Sequence, residues 1–318
     1  MATSNTQKAL LAGPNCEPLL TTEYPIPSLP ADHILVKTAY VALNPTDWQK
    51  MVRNDTIPGA LAGCDFSGTV EEIGPNVAKK FIKGEKVMGF NHGFDRVRPT
   101  AGAFAEYEIT KGDLLLRVPK SLPMDQAASM PLGLYTVNQG LYQGILKLAL
   151  PNEPIKGAVP ILIYGELGAD AAFDYHDKDL GKKIREHTNN SLRLVYDTIA
   201  TPKTATICGE ALSSKPGGKY MATEFMQLEP KDIESDCMIA YSVMNEDFIL
   251  DGELFSAKQE DFEFAKHFGG IAEKLIMEGK VKAHRVLTSE KGGFEGIPDG
   301  WAMMRENKVS GQKLVYKV

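Results

Sequence analysis

The sequence predicts an α/β protein in which a small β-barrel is followed by a shortened parallel-sheet domain. From about residue 30 to residue 120, short runs of β-branched and apolar residues alternate with glycine-containing turns, which is typical of a small barrel. After Pro123 the pattern changes to strands that alternate with helices, as in a parallel sheet. Two strand signals of this second part lie only a few residues apart, which predicts that one strand and one helix are missing.

The first part of the chain contains several clear strand signals. Residues 33–43 (HILVKTAYVAL) are apolar and β-branched between turn residues, and residues 68–77 and 81–89 predict two further strands. The turns between them are Gly-Pro-Asn and Lys-Gly-Glu. The tail, residues 310–316, alternates like an edge strand and is expected to return to this first domain.

The second part alternates between the two kinds of element. Its predicted strands are residues 161–165, 171–175, 192–197 and 218–223, and its predicted helices are residues 179–188, 202–212 and 260–277. Two shorter helical segments with a proline start signal between them precede these elements. We therefore expect three ranges: a barrel domain at 1–123, a shortened parallel-sheet domain at 124–284 and a C-terminal return at 285–318.

The composition and charge pattern of the chain argue against several classes of function. The chain has 318 residues and a formal net charge of −6, with charges mixed along the sequence, so nucleic acid is not expected as a partner. No apolar run is long enough to span a membrane, and the N-terminus lacks a signal core, which predicts a cytoplasmic protein without membrane contact. Cys16, Cys64, Cys208 and Cys237 lie far apart, so neither a disulfide framework nor a metal site is expected.

Four segments carry a family resemblance: residues 44–48 (NPTDW), 63–68 (GCDFSG), 74–77 (GPNV) and 102–107 (GAFAEY). With them, nearly the whole chain resembles the medium-chain dehydrogenase/reductase superfamily. It is most similar to the zinc-free, trans-acting enoyl reductases of fungal polyketide synthases, which share residues 173–176 (FDYH), 183–193, 292–294 and 310–315. The resemblance implies a GroES-like β-barrel domain and a Rossmann-type domain that is truncated here.

The resemblance also bears on metal use. Zinc-dependent members of the superfamily carry a His-Glu pair after the glycine where this chain has Cys64-Asp65, and a four-cysteine lobe that this chain lacks. Cys64 alone cannot supply the three protein ligands of a catalytic zinc site. We therefore expect no metal, and the alternative role for Cys64 is that of a small core residue.

By the same resemblance, the loop after Asn44-Pro45 lies against the nicotinamide of NADPH. The residues implied to bind the cofactor are Thr46, Asp47, Trp48, Gln49, Tyr175, Thr223, Glu224, Val309 and Ser310. Relatives have a lysine at the position of Gln49, whereas this chain has Lys50, which we assign as the candidate catalytic proton donor. A lysine suits enoyl reduction because the enolate needs stabilisation and a proton. The alternative is a solvated surface lysine.

Two segments correspond to the substrate-contacting parts of the family. The residues implied to bind substrate are Thr136, Val137, Asn138, Gln139, Gly140, Leu141, Tyr142 and Gln143 in the first segment, and Tyr241, Ser242, Val243, Met244 and Asn245 in the second. The alternative for the first segment is an ordinary packed helix with Leu141 and Tyr142 in the core.

The gap after Gly165 bears directly on cofactor binding. Only residues 166–170 separate Gly165 from the strand predicted at 171–175, whereas a dinucleotide-binding βαβ unit needs about 30 residues or more. The missing part would carry the phosphate turn, the helix N-terminus that stabilises the pyrophosphate, and the loop that selects NADPH. The sequence contains no G-x-G-x-x-G elsewhere, and Gly217-Gly218 follows a turn.

Three functions remain open on this basis. The first is a trans-acting, NADPH-dependent enoyl reductase that acts on an enoyl thioester tethered to a polyketide synthase carrier domain. The second is a pseudoenzyme of the same family that has lost the cofactor and acts as a binding module. The third is an NADPH-dependent quinone or enone reductase. We favour the first, and we expect a monomer.

Overall fold

A computed structural model describes residues 5–153, 157, 159–165, 169–226, 228 and 232–318. Its strands are β1 (Thr6–Ala12), β2 (Pro18–Pro25), β3 (His33–Ala42), β4 (Asp65–Ile73), β5 (Lys86–Phe90), β6 (Tyr107–Lys111), β7 (Leu116–Arg117), β8 (Ile161–Tyr164), β9 (Leu194–Asp197), β10 (Lys219–Ala222), β11 (Glu234–Cys237), β12 (Phe248–Leu250), β13 (Glu253–Phe255), β14 (Val286–Thr288) and β15 (Lys313–Lys317). Its helices are α1 (Pro45–Val52), α2 (Met124–Ala128), α3 (Pro131–Val137), α4 (Leu180–His187), α5 (Pro202–Ala211), α6 (Gln259–Met277) and α7 (Ile297–Arg305).

The chain divides into two compact units. Residues 1–134 and 241–318 form the first unit, and residues 135–240 form the second. This division differs from the predicted ranges, because residues 124–134 and 241–284 group with the barrel. The reason is packing: Ala127 of α2, Met130 just after α2 and Ile276 of α6 belong to one apolar cluster with Met88 and Leu116 of the barrel strands.

The first unit is built on a seven-stranded sheet. Its strand order is β14-β15-β3-β4-β5-β7, with β6 pairing to the other part of β3. The central pairs β15–β3, β3–β4 and β4–β5 are antiparallel. β15 is therefore an inner strand, and the prediction that the tail forms an edge strand is wrong: β14 takes the edge because it pairs in parallel with β15.

The core of the first unit lies under these strands and against α7. Phe66, Phe94 and Phe104 are fully buried there and pack with Trp301 of α7. Two hairpins complete the unit, β1–β2 and β12–β13. The strands predicted from the alternating and β-branched patterns at residues 33–43, 68–77 and 81–89 correspond to β3, β4 and β5, with shifted ends.

The second unit contains a parallel sheet with the strand order β11-β10-β9-β8. The helices α4 and α5 connect β8 to β9 and β9 to β10, and they pack on the sheet through Ile184, Ala205 and Cys208. The predicted fold class, a barrel domain and a shortened parallel-sheet domain of α/β type, is thereby confirmed. A βαβ crossover of this kind is the standard way to join parallel strands.

The strand predicted at residues 171–175 does not form. Residues 172–174 have no regular structure, and Tyr175 and His176 lie in a turn. The alternation that suggested a strand arises because Phe173 packs against the core of the second unit and against the edge of His187. The strand that pairs with β8 is β9, which follows α4 in the chain.

Candidate active site

The first unit holds a cluster of buried polar side chains around the start of α1. Asn44 is extended and precedes Pro45 at the first helical position, where proline fits because its missing N–H has no partner in a helix. The Asp47 carboxylate accepts a hydrogen bond of 2.7 Å from the Asn44 backbone N–H. The sequence Asn-Pro-Thr-Asp thus encodes its own helix start.

A second carboxylate, that of Asp65 at the start of β4, fixes this helix start to the sheet. Lys313 of β15 donates from Nζ to Asp65 Oδ2 at 2.6 Å and to Asn44 Oδ1 at 2.9 Å. Asn44 Nδ2 donates to the same Asp65 oxygen at 3.0 Å, and the Leu132 backbone N–H donates to Asp65 Oδ1 at 2.7 Å. Since Asp65 is fully buried, this network rigidly positions the beginning of α1.

Lys50 lies in the interior and is only 3% exposed, so the alternative of a solvated surface lysine is wrong. Its Nζ hydrogen-bonds to Nε2 of His92 and donates to the Gly93 carbonyl at 3.3 Å. It also lies 5.3 Å from the centre of the Tyr241 ring. Burial lowers the pKa of Lys50, since a charged amine is poorly solvated in the interior.

Tyr241, a predicted substrate residue, lies next to Thr46, a predicted cofactor residue. Its hydroxyl lies 3.0 Å from Thr46 Oγ1 and 3.5 Å from Cys64 Sγ, and its ring stacks on His92 at 3.8 Å between centroids. Thr46, Lys50 and Tyr241, which the sequence assigned to three different roles, therefore meet in one place. A hydroxyl and an amine in such a cluster are hydrogen-bond donors suited to a developing oxyanion.

Burial raises the pKa of the acidic members of this cluster. It raises the pKa of Asp47 to about 7, and the hydrogen bond from the Asn44 backbone N–H only partly offsets this. Burial likewise raises the pKa of Cys64 and of Tyr241 well above their usual values. Cys64 is thus a neutral thiol in this environment. Among the described residues, no group of three or more His, Cys, Asp or Glu side chains is arranged to hold a metal ion.

The other site residues predicted for the first unit differ in how deeply they are buried and in what they contact. Trp48 and Val309 pack against the apolar core, Gln49 is half-buried, and Ser310 is exposed. After Tyr241, Ser242, Val243 and Met244 are buried, whereas Asn245 is half-buried and donates from Nδ2 to Gln259 Oε1 at 2.6 Å. Their predicted roles stay predictions.

In the second unit, the predicted substrate segment Thr136–Gln143 continues α3 and passes into a π-helical turn at Asn138–Gln143. The Tyr196 hydroxyl donates to the Thr136 carbonyl at 3.3 Å, and the side chains of Gln139 and Gln143 are hydrogen-bonded at 3.0 Å. Asn138 is fully buried, and neither of its amide atoms has a hydrogen-bond partner among the described residues. Leu141 is buried, whereas Val137 and Tyr142 are half-buried. Wide helical turns of this kind occur often at functional sites.

The carboxyl ends of the parallel strands are where such sheets bind ligands. At the end of β9, the buried Asp197 carboxylate accepts from Thr204 Oγ1 at 2.6 Å and from the Tyr220 hydroxyl at 2.9 Å. It also accepts from the backbone amides of Ile199 and Ala200 at 3.0 and 2.9 Å. The predicted Thr223 follows β10 and donates its N–H to the Asp197 carbonyl.

Neither of the other predicted cofactor residues of this unit is buried. Glu224 is half-buried, and Tyr175 is exposed and stacks on His176 at 3.9 Å between ring centroids. Residues 166–168, where the sequence analysis located the junction of the missing phosphate turn, lie outside the described residues.

The described residues of the second unit do not fit the pyrophosphate of a dinucleotide. A pyrophosphate needs free N–H groups at a helix N-terminus. Asp174, Asp177 and Asp179 precede α4, and hydrogen bonds hold the pKa of Asp174 and Asp177 below its usual value, so these groups are anionic. The start of α5 is closed by Asp197 and by Thr201, which accepts from the Thr204 N–H at 3.2 Å.

Two residues that the sequence analysis did not single out belong to the cluster of the first unit. His92 follows β5 and is fully buried, and its Nδ1 lies 3.4 Å from the carboxylate of the buried Asp95. The signal was a run of polar residues, Asn91-His92 and Asp95, directly after an apolar strand. Polar residues at a strand end are common in functional sites, but their burial was not evident from the sequence.

The structure adds one observation about membranes: within the described ranges, none of the helices has the length and apolar character needed to cross a bilayer.

Comparison with known proteins gives a consistent result. Residues 30–120 match the family described as the alcohol dehydrogenase GroES-like domain. The chain is 34% identical to Trans-enoyl reductase resD of Aspergillus sclerotiorum, with 94% of this chain and 96% of that protein covered. It is 38% identical to Trans-enoyl reductase TOXD of Cochliobolus carbonum, with 83% and 99% covered.

The alignment with resD also supports an internal deletion. It extends over 347 positions, although this chain has only 318 residues. Because the alignment covers 94% of this chain, about 299 residues, roughly 48 aligned positions have no counterpart here, which is enough for one βαβ unit.

Two solved structures show the fold. An alcohol dehydrogenase superfamily protein from Novosphingobium aromaticivorans superimposes with a TM-score of 0.74 at 20% identity, covering 98% of this chain and 99% of that one. The JamJ enoyl reductase in its apo form superimposes with a TM-score of 0.72 at 15% identity and the same coverage.

Proposed function

Because the chain belongs to the medium-chain dehydrogenase/reductase superfamily, and within it to the family of fungal trans-enoyl reductases, we propose that it is a trans-acting enoyl reductase. Its substrate would be an enoyl thioester tethered to a polyketide synthase carrier domain, its electron donor NADPH, and its working form a monomer. The main support is the identity of 34% and 38% with two trans-enoyl reductases over most of the chain.

The polar cluster of the first unit supports this reaction class. Reduction of an enoyl thioester places negative charge on the thioester oxygen and requires a proton at the α-carbon. Thr46, Lys50 and Tyr241 supply an O–H, an N–H and a second O–H within one buried cluster. We assign Lys50 as the proton donor and Thr46 and Tyr241 as the groups that orient the reacting end of the substrate.

The second unit favours a second candidate function. The carboxylates before α4 and the occupied start of α5 are unsuited to a pyrophosphate. A chain that keeps the polar cluster and lacks cofactor affinity would act as a binding module for the same tethered substrates. We rank this second, since the family relationship extends over nearly the whole chain.

One titration separates the two candidates. Purified protein is titrated with NADPH while thermal unfolding is followed, with TOXD as the positive control. An enoyl reductase requires saturable binding, and a ligand at 100 times its Kd stabilises the folded state by about 2.7 kcal/mol. Unfolding that is cooperative but insensitive to NADPH would support the binding module instead.

A substrate comparison addresses the third possibility. If NADPH binds, turnover of an enoyl thioester on a carrier domain or on pantetheine supports the proposal. Turnover of free quinones or enones, without activity on the thioester, would make the chain a quinone or enone reductase.

A further inference from the structure

Lys50, the buried lysine of the first unit, lies next to His92, which in turn lies next to Asp95. The reaction proposed above gives no role to His92 or Asp95. His92 is fully buried between the Tyr241 ring, which stacks on it, and Phe248, which contacts it edge-on at 5.4 Å between centroids. One imidazole nitrogen, Nε2, faces Lys50 Nζ, and the other, Nδ1, faces Asp95 at 3.4 Å. The three side chains thus form a continuous line in the order Lys50, His92, Asp95.

The charge states in this line follow from its surroundings. Burial and the neighbouring Lys50 charge lower the pKa of His92 to about 3, so its ring is neutral and carries one proton. Burial acts to raise the pKa of Asp95, but the charge of Arg98 and the hydrogen bond from the Val97 backbone N–H act against it, and the pKa is about 2. Arg98 donates to Asp95 Oδ2 from Nε at 3.1 Å. Asp95 is therefore an anion that can only accept hydrogen bonds.

These constraints leave one consistent arrangement of protons. Nδ1 makes no hydrogen bond among the described residues, but the anionic Asp95 at 3.4 Å favours the imidazole proton on that nitrogen, which leaves Nε2 as a lone-pair acceptor. That acceptor suits the Lys50 ammonium, whose second N–H is taken by the Gly93 carbonyl. A third N–H of Lys50 remains for a further acceptor.

We propose that His92 and Asp95 are positioning residues for Lys50. Asp95 fixes the tautomer of His92, and His92 holds the ammonium of Lys50 in its protonated form with one N–H directed away from both protein acceptors. The inference rests on the proposed function in taking Lys50 as the proton donor, and it explains how a lysine one position later than in relatives is held in the cluster.

The first test uses the whole protein without any cofactor. Long-range proton–nitrogen spectra of ¹⁵N-labelled protein report which nitrogen of each imidazole carries the proton, and the His92 signal is assigned by its loss in His92→Gln. The proposal requires a neutral His92 with its proton on Nδ1 from about pH 5 to pH 8. A proton on Nε2 would overturn it, since Lys50 could then not donate to that atom.

The second test measures the ionisation of Lys50 from the ¹³Cε shift, assigned with Lys50→Met. The charged and titratable groups that influence Lys50 are His92, Asp95, Asp47, Asp55, Cys64 and Tyr241. Asp95→Asn removes the anion at the end of the line, and we expect the acid dissociation constant of Lys50 to rise about tenfold. In a His92→Gln background the same substitution should have a smaller effect.

Glu246→Gln is the matched control. It removes the other carboxylate that Arg98 pairs with, and Glu246 pairs with Arg98 through Nη1 and with Lys111, whereas Asp95 pairs with Arg98 through Nη2. We expect the acid dissociation constant of Lys50 to change by less than about twofold. Equal effects of Asp95→Asn and Glu246→Gln on the acid dissociation constant of Lys50 would overturn the proposal. If Asp95→Asn fails to fold, the His92 spectrum of the unchanged protein still tests the proposal, because it shows which imidazole nitrogen carries the proton.

The tests of the positioning role can succeed or fail independently of the tests of the proposed function. A His92 proton on Nδ1 together with an absence of NADPH binding would retain the positioning line and reject the reductase. NADPH-dependent reduction together with a proton on Nε2 would do the reverse.

Discussion

Asp65, at the start of β4 in the first unit, and Asp197, at the end of β9 in the second, are both fully buried carboxylates, and they do different things. Asp65 receives Lys313 and Asn44 and so fixes the start of α1, leaving the polar groups of that helix available to the cluster. Asp197 instead binds the backbone amides ahead of α5. One carboxylate organises a site, whereas the other organises the turn that leads into a helix.

The comparison shows that the two units have kept different parts of a reductase. The first unit retains a buried donor cluster of the kind that an enoyl substrate requires. The second retains parallel strands and crossover helices, but carboxylates precede α4, and the Thr201 side chain occupies the start of α5. The following predictions test this contrast, beginning with the largest expected effect.

Asp65→Asn should cause the largest loss of stability. The substitution leaves the Lys313 ammonium and the Asn44 amide facing an amide group at a fully buried position, and breaking a buried ion pair costs about 3–5 kcal/mol. Urea unfolding followed by far-UV circular dichroism measures the free energy of unfolding. Asp125→Asn, at a half-buried carboxylate near α2, should change it little, and equal losses would contradict the role given to Asp65.

Asp197→Asn should have the next largest effect and should act on the second unit. Its Oδ2 accepts from Thr204 and Tyr220, and an amide nitrogen in that place would face two donors. We expect a loss of about 2–3 kcal/mol. Hydrogen exchange resolved by peptide should show faster exchange in β9 and β10. If protection is lost only in the first unit, the comparison between the two carboxylates fails.

Gly140→Ala tests the packing of the predicted substrate segment. A Cβ at residue 140 would lie 2.5 Å from the Tyr196 ring, so the ring or the helix must move. We expect destabilisation of about 1–3 kcal/mol, measured by thermal unfolding. Gly133→Ala is the matched control, because nothing lies within 4 Å of its added Cβ, and it should stabilise α3 by about 0.5–1 kcal/mol.

Glu108→Gln should change how the stability of the first unit depends on pH. Burial raises the pKa of Glu108 well above its usual value, so the folded state holds a proton that the unfolded state releases above about pH 4.3. Stability is therefore lost as the pH rises, by at most about 1.4 kcal/mol per pH unit for one proton. Asp47, with a pKa of about 7, acts in the same direction below pH 7.

The measurement is the melting temperature between pH 5 and pH 9. Unchanged protein should become less stable across this range, and Glu108→Gln should show a smaller slope while keeping the hydrogen bond from Asn91 Nδ2 in an equivalent position. A variant with the same slope as unchanged protein would show that Glu108 is ionised in the folded state.

Asp177→Asn should have the smallest effect and concerns the acidic start of α4. Asp177 is paired with Lys183 on the surface, and its removal makes the region before α4 less negative. We expect any affinity for NADPH to rise about two- to fivefold at low salt, as for a single charge at a helix N-terminus. The gain should disappear at high salt, and a gain that persists there would exclude a simple charge effect.

Much of the fold was predictable because the patterns were local. The β-branched run at residues 33–43 predicted β3, and the helix predicted at residues 202–212 is α5, which Thr201 caps ahead of Pro202. The strand predicted at residues 171–175 was wrong because alternation of exposure around Phe173 does not require a neighbouring strand.

For the site, the sequence by itself determined the family and the presence of Thr46, Lys50 and Tyr241. The segment after Asn44-Pro45 was expected to be a loop, and it forms the helix α1 instead, because Pro45 and the Asp47 carboxyl group together start a helix. Only the tertiary structure decided that Lys50 is buried, that Tyr241 meets Thr46, and that His92 and Asp95 hold the lysine. The physical reason is distance along the chain: contacts between residues 40 to 200 positions apart arise from sheet register and packing, which no local pattern encodes.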